Sequence, residues 1–237
     1  MAESERRKPL DIPLGGVRFG DLKRLSPIGR NFGYERGTPV DRYYIESFLA
    51  RNAGDIRGRV LELATNDYTK RFGGTRVVQS DVLSVAAADK NATIIGDLVQ
   101  ADTLPEASFD CIIFTQALQY IYDAQAAINV LHRALKPDGV LLATAPGIGP
   151  MGDHPAAPGK PDRWPWYWAI TPAGLHHLLE ERFGQNAVAA ETHGNIFTAM
   201  AFLYGLAREE IDACDLDIAD ARFPVTVAAR AIKCTNE

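Results

Sequence analysis

The stretch RVLELATND at residues 59–67 decides the fold class. Its apolar residues are consecutive rather than alternating, and the runs CIIF at 111–114 and VLLA at 140–143 share this pattern. Strands of a parallel sheet carry near-continuous apolar runs because helices cover both faces. The sequence therefore predicts an α/β fold.

Short runs rich in β-branched residues recur along the chain and predict seven strands. These strands alternate with helical segments, and the last two are joined by a long connection. We therefore predict a doubly wound sheet of seven strands. The predicted strands are residues 59–64, 76–80, 92–96, 109–115, 139–146, 187–192 and 224–231.

Three helices have recognisable starts. Asp123 is a cap for a helix with an apolar stripe up to Leu135. Thr171 followed by Pro172 is a cap with proline at the first helical position. Asn195 predicts a third start, for a helix through Ile196, Met200, Leu203 and Leu206.

Charge argues for a small-molecule partner. The chain has 237 residues, with 25 Lys and Arg against 30 Asp and Glu, and a net charge of -5. Binding to a phosphate backbone needs clustered cations, so we predict no nucleic-acid partner. Residues 1–59 differ, with 12 basic and 8 acidic side chains, whereas residues 208–220 carry six acids against one base and predict a solvated surface.

Cysteine usage and the N-terminal composition predict a cytoplasmic protein. Cys111, Cys214 and Cys234 are far apart and have no metal-ligand spacing, so we expect reduced thiols and no metal site. The N-terminus MAESERRKPL lacks the apolar run of a signal peptide. No stretch approaches the ~20 apolar residues of a membrane span, which predicts no membrane partner.

The chain is predicted to have two parts. Residues 1–33 are punctuated by Gly and Pro and predict a partly ordered N-terminal arm. Residues 34–237 predict one domain with a lid or acceptor loop at about 147–170. We expect a monomer or a homodimer.

Several motifs, taken in order, resemble those of class I S-adenosylmethionine-dependent methyltransferases. The resemblance covers roughly residues 34–232 and implies a Rossmann-like methyltransferase fold, a mostly parallel sheet whose last strand is antiparallel, with S-adenosylmethionine as cofactor. No single motif is specific, but five stand in the expected order. They are RGTPVDRYYIE at 36–46, ELATND at 62–67, GDL at 96–98, SFDCII at 108–113 and LKPDGVLL at 135–142.

The resemblance implies cofactor contacts at the strand ends. Asp81, after the second strand, would accept the ribose hydroxyls, and Asp97 with Leu98 would hold the adenine. Two alternatives remain: Asp81 and Asp97 are turn acids, and Glu62 is an acceptor for backbone amides. Glu62, Ala64, Thr65 and Asn66 would face the methionine part, while Thr115, Gln116 and Gln119 would lie beside the sulfonium and the substrate.

Ala64 departs from the family pattern, which has glycine at this position. If residue 64 has a positive φ, alanine costs roughly 1–2 kcal/mol, and its methyl group also meets a ligand packed on the Cα. If the backbone is extended there, nothing is lost.

The segment 36–46 predicts a helix starting near Thr38 and Pro39. Arg36 and one of two tyrosines, of which Tyr43 is our candidate, would close over the cofactor and pair with its carboxylate. The alternative is a helix that packs its tyrosines on the sheet edge.

The loop after the fifth strand predicts the acceptor site. All three tryptophans fall within five residues, too many for one short segment to bury, so some should line an apolar or aromatic acceptor pocket. The alternative is a lid that packs its aromatic side chains as a local core. The candidate acceptor-binding residues are Asp153, Trp164, Trp166 and Trp168.

Two histidines are candidate general bases, His154 in the loop and His193 at the end of the sixth strand. The sequence thus predicts methyl transfer to a small molecule, for instance a hydroxyl of a specialised or glycosylated metabolite. The alternative, raised by Ala64, is a methyltransferase-like protein that binds a partner or catalyses a different reaction.

Overall fold

A seven-stranded sheet forms the centre of the molecule. The structure is a computed structural model that describes residues 12–152 and 165–234. The strand order is β3-β2-β1-β4-β5-β7-β6, and only β7 runs antiparallel to its neighbours, which confirms the predicted fold class. The strands are β1 (Gly58–Leu63), β2 (Val77–Ser84), β3 (Ile94–Ile95), β4 (Phe109–Thr115), β5 (Leu135–Pro146), β6 (Val188–His193) and β7 (Thr226–Ile232).

The predicted helix caps are formed. Asp123 accepts a hydrogen bond from the Ala126 amide at 3.0 Å, and the Thr171 hydroxyl accepts one from the Gly174 amide at 3.0 Å. Asn195 accepts from two amides of the following turn. The α-helices are α1 (Val40–Arg51), α2 (Ala124–Ala134), α3 (Pro172–Phe183), α4 (Ile196–Leu203) and α5 (Ala213–Leu216).

Helices cover both faces of the sheet, as the consecutive apolar runs predicted. In β1, Leu61 contributes to the core that includes Ile128 of α2 and Leu175 of α3. Its neighbour Val60 contributes to the opposite core, with Phe48 of α1. Successive strand residues therefore meet different helices, and neither face of the strand is left polar.

Helix α4 begins at Asn195 as predicted, but its apolar stripe faces solvent. Ile196, Met200 and Leu203 are 55%, 36% and 44% exposed, whereas Thr198, Ala199, Ala201 and Phe202 are buried. Small residues and one phenylalanine make the inner face, so the larger side chains of the stripe point outward.

Among residues 12–152 and 165–234, no helix combines the length and the apolar character that crossing a membrane requires.

Candidate active site

The turn after β1 lies at the point where the strand order reverses, between β1 and β4. Ala64 has φ +62°, and its amide donates to the Leu83 carbonyl at 2.9 Å. Ala64 and Thr65 are exposed at the carboxyl edge of the sheet. The positive φ is thus observed, and alanine occupies a conformation that favours glycine.

Glu62 is held by the turn that it precedes. It is 2% exposed, and its carboxylate accepts from the Thr69 amide and hydroxyl, both at 2.7 Å, the Tyr68 amide at 3.2 Å and the Thr65 hydroxyl at 3.3 Å. Burial raises the pKa of this carboxyl above its usual value, although the four donors act against the rise. This geometry supports the alternative in which Glu62 organises backbone amides.

Asp81 lies inside β2 rather than after it, so its predicted position is corrected. The predicted strand ended at Ser80, but pairing with β1 continues to Leu83 and pairing with β3 to Ser84, and Val82 and Leu83 are buried in the sheet. The Asp81 carboxylate is 2.7 Å from Arg59 Nε and accepts from the Thr93 hydroxyl at 3.0 Å. These partners occupy it, and Ser84 stands at the strand end.

Asp97 heads a turn after β3. Its side chain is exposed and accepts from the Val99 amide at 3.1 Å, and its carbonyl accepts from the Thr103 hydroxyl. Leu98 is 3% exposed. The turn-acid alternative matches these contacts, while the adenine contact stays a prediction.

The residues after β4 form a strained, partly unsatisfied turn. Gln116 has φ +49°, and its amide donates to the Thr144 carbonyl at 2.9 Å. Gln119 is 2% exposed and donates to the Gln116 carbonyl at 2.9 Å. Gln119 Oε1 and Gln116 Nε2 are buried without a hydrogen-bond partner among the described residues. Thr115 ends β4 directly before this turn. Unsatisfied buried groups at a ligand-binding sheet edge are candidates for ligand contacts.

Aromatic rings meet beside this turn, and we call Tyr120, Tyr122, Trp166, Tyr167 and Trp168 the aromatic wall. Trp166 packs edge-on against Tyr120 at 5.3 Å, and Trp168 stacks on Tyr122 at 5.7 Å. Trp168 Nε1 also donates to the Ile121 carbonyl at 3.0 Å. Sequence reasoning missed the two tyrosines of the β4 turn, whose only signal was their position after a strand.

Three predicted residues of the acceptor loop, Asp153, His154 and Trp164, lie outside the described residues.

Arg36 and Tyr43 are bonded to the acidic segment 208–217. Arg36 forms an ion pair with Glu210, and the Tyr43 hydroxyl donates to Asp217. Arg36 lowers the pKa of Glu210, and the bond to Asp217 raises the pKa of Tyr43. The acidic segment was predicted to be a solvated surface, but its carboxylates fasten the start of α1 in place.

Arg42 of α1 is bonded to hydroxyl groups instead of a carboxylate. Its Nε donates to the Tyr34 hydroxyl at 3.1 Å, and its Nη1 donates to the Tyr68 hydroxyl at 3.2 Å. Within the described residues, no carboxylate forms an ion pair with it. Tyr68 belongs to the turn whose amides bind Glu62, so the guanidinium lies beside that turn.

His193 ends β6, at the far side of the sheet. Its ring stacks on Tyr44 at 5.8 Å, and its Nε2 is 3.3 Å from Glu191 Oε1. With about 4.8 Å between strands, β6 is roughly 14 Å from β4. The structure therefore does not bring His193 to the β4 turn.

Comparison with known proteins agrees with this architecture. A family model described as "Methyltransferase domain" matches residues 53–143. The chain is similar to a methyltransferase from Archaeoglobus fulgidus described as SAM dependent, with 14% identity, TM-score 0.51, and coverage of 81% of this chain and 94% of that one. No curated protein sequence matches this chain.

Two further solved structures share the fold. One is a complex of DhpI with SAH, with 17% identity, TM-score 0.51, and coverage of 83% of this chain and 87% of that one. The other is the 4+2 cyclase SpnF, with 17% identity, TM-score 0.53, and coverage of 89% and 87%. At these identities the similarity concerns the fold.

Proposed function

We propose that this chain, in which residues 53–143 match a methyltransferase-domain model, binds S-adenosylmethionine and transfers the methyl group to a small-molecule acceptor. The observation that carries the proposal is the juxtaposition of the Ala64 turn and the aromatic wall. The Ala64 turn follows β1, and Tyr120 and Tyr122 of the wall follow β4, the two strands that flank the switch point. Methyl transfer is an in-line displacement, so positioning two ligands side by side is most of what the site must do.

The aromatic wall suggests the acceptor class. Tyr122, Tyr167 and Trp168 are 70%, 44% and 38% exposed, so part of their ring surface is available to a ligand even though Trp168 stacks on Tyr122. Such faces bind flat apolar surfaces, including aromatic rings and the apolar face of a sugar. An acceptor of this kind with a free hydroxyl, such as a specialised or glycosylated metabolite, fits the wall.

A cytoplasmic small-molecule enzyme also fits the charge and the thiols. The net charge of -5 disfavours a nucleic-acid acceptor. Among the described residues, Cys111, Cys214 and Cys234 form no disulfide, which suits a reducing compartment.

Arg42 replaces Arg36 as our candidate for the cofactor carboxylate. Arg36 is already paired with Glu210, whereas Arg42 is held by two hydroxyls and lies beside the β1 turn. Both hydrogen-bond partners of Arg42 are neutral and the adjacent Asp41, which acts on it electrostatically, forms no ion pair with it, so an incoming carboxylate would provide the charged acceptor that Arg42 lacks among the described residues.

We expect the wild-type chain to bind S-adenosylhomocysteine in calorimetry and Arg42→Gln to bind it about 10- to 100-fold more weakly, since a charge-assisted bond contributes about 1.5–3 kcal/mol. Methylthioadenosine, which lacks the carboxylate, should bind both chains equally. The matched control is Arg51→Gln, because Arg51 lies on the same helix but pairs with Glu191. No heat from the wild-type chain with either S-adenosylmethionine or S-adenosylhomocysteine would disprove cofactor binding.

Ala64→Gly should stabilise the fold by about 1 kcal/mol, because it removes a left-handed alanine at the cost of a more flexible unfolded chain. For a chain of this length we expect a Tm higher by about 2–4 °C. Cofactor affinity should rise as well if the ligand packs on the Cα. Ala87→Gly, at an exposed turn without a positive φ, should not raise the Tm. An unchanged Tm in Ala64→Gly would show that the positive φ of Ala64 does not destabilise the fold.

The general base stays a prediction. If His154 or His193 takes the acceptor proton, its replacement by alanine should lower turnover about 10²-fold and leave cofactor affinity unchanged. Transfer of a labelled methyl group into a cell extract measures this even when the acceptor is unidentified. Since His193 is far from β4, we favour His154. If neither variant slows the transfer, the base is elsewhere or the acceptor needs none.

A second candidate is a methyltransferase-like catalyst that transfers no methyl group. It is favoured by the strained Ala64 and by the fold shared with SpnF, which is described as a cyclase. Cofactor binding without transfer of label to any acceptor would support it.

A further inference from the structure

Helix α4 presents an uncovered apolar stripe of Ile196, Phe197, Met200 and Leu203. These side chains are 55%, 44%, 36% and 44% exposed, and they lie on one face at positions i, i+1, i+4 and i+7. The helix sequence, IFTAMAFL, contains no charged residue. A helix that is apolar on all sides is normally covered on all sides.

A groove opens at the N-terminal end of the same helix. It has a volume of about 840 Å³, and its lining combines apolar side chains with two carboxylates and one cation, Arg222, which forms an ion pair with Asp220, so the lining has a net negative charge. It therefore suits a segment that is both apolar and basic. The relevant lining residues are Ile196, Phe197, Ile218, Phe223, Asp215 and Asp220.

The described part of the N-terminal arm has that composition. Leu14 and Leu25 are fully exposed, and Val17 and Phe19 are 52% and 59% exposed. Arg18, Lys23 and Arg24 lie among them, and within the described residues they form no ion pair. The arm thus carries apolar side chains and cations without partners in its own described chain.

The arm is fastened to the C-terminal end of α4. The amides of Ile28 and Gly29 donate to the Tyr204 carbonyl at 2.8 and 3.0 Å, and the Tyr204 hydroxyl donates to the Leu22 carbonyl at 2.5 Å. The arm and the groove therefore belong to opposite ends of one helix.

We propose that two copies of this chain form a dimer in which their α4 helices pair antiparallel and each arm enters the groove of the other copy. In a dimer with two-fold symmetry, the same surface patch of each copy contacts its equivalent on the other copy. The stripe of α4 is suited to this because it is apolar and has no charges that would repel each other. Antiparallel pairing sets the C-terminal end of one α4 beside the N-terminal end of the other. The same pairing covers the stripe and brings the basic arm to the acidic groove, which gives charge complementarity.

Sedimentation equilibrium tests the helix pair. The wild-type chain should be a dimer, and the double variant Phe197→Ser with Met200→Ser should dissociate at least about tenfold more readily, since buried apolar anchors dominate such interfaces. Val78→Ser is the matched control, because Val78 is 88% exposed on β2 and outside the patch. A monomeric wild-type chain, or a double variant as dimeric as the control, overturns the proposal.

Thiol cross-linking tests the arm. Cys214 is exposed next to Asp215 of the groove, so Leu14→Cys in a Cys234→Ser background offers one thiol on each surface. A bismaleimide should join two chains, giving a covalent dimer that disappears when Leu14 is left unchanged. A product linked only within one chain would mean that the arm folds back on its own groove. This result would overturn the proposal that each arm enters the groove of the other copy.

Discussion

Glu62→Gln should lower the free energy of unfolding by about 1–3 kcal/mol and weaken cofactor binding, although the two side chains have the same shape. The carboxylate accepts four hydrogen bonds, two at each oxygen, from donors of the following turn. Glutamine replaces one oxygen by an NH₂ group, which faces donors and can accept nothing. Each oxygen faces one amide and one hydroxyl, and the hydroxyl can turn to accept from the NH₂ group, so one amide donor is left without an acceptor, at about 1–3 kcal/mol.

Thermal or urea unfolding measures the loss, and calorimetry with S-adenosylhomocysteine reports whether the β1 turn survives. Glu181→Gln is the control, since its side chain is 49% exposed on α3. A Glu62→Gln chain as stable as this control would mean that the four bonds contribute nothing to folding.

Gly205→Ala is expected to detach the N-terminal arm and to lower the free energy of unfolding by about 3 kcal/mol. A Cβ on Gly205 would lie 2.0 Å from the Gly29 carbonyl oxygen, and Gly205 also has φ +68°. The reverse contact is as tight, because a Cβ on Gly29 would lie 2.3 Å from the Gly205 oxygen. Backbone atoms cannot rotate away as a flexible side chain can, so the two segments must separate.

Hydrogen exchange gives the clearest measurement of this effect. The amides of Ile28 and Gly29 should lose protection in Gly205→Ala, because their acceptor, the Tyr204 carbonyl, moves away. Gly54→Ala is the matched control, since a Cβ there meets no atom within 4 Å. If protection at Ile28 and Gly29 is the same as in that control, the close contact between the backbones of Gly29 and Gly205 tolerates a side chain.

The sheet was predictable from sequence because its signals are local. Consecutive apolar residues mark the buried strands, and Asp123, Thr171 and Asn195 cap helices within their own turns. The end of β2 was not predictable, because the polar Asp81 interrupts the apolar run while Arg59 of the neighbouring strand satisfies it inside the sheet.

The contacts of the site depend on residues that are distant in sequence. Arg36 and Tyr43 read as cofactor ligands because nothing near them in the chain competes for them. Their partners, Glu210 and Asp217, lie 174 residues further along, and no sequence periodicity connects the two segments. The aromatic wall was half predictable, since the tryptophan cluster is visible in the composition but its tyrosine partners are not.

The place of β7 in the sheet has a consequence for synthesis on the ribosome. β7 follows β6 in the chain yet lies between β5 and β6, so β6 has no strand to pair with until β7 has emerged. Until then β5 exposes a free edge of unpaired backbone groups. A nascent or truncated chain that stops before Thr226 should therefore be prone to aggregation, and the complete chain should add β6 and β7 to the sheet in one late step.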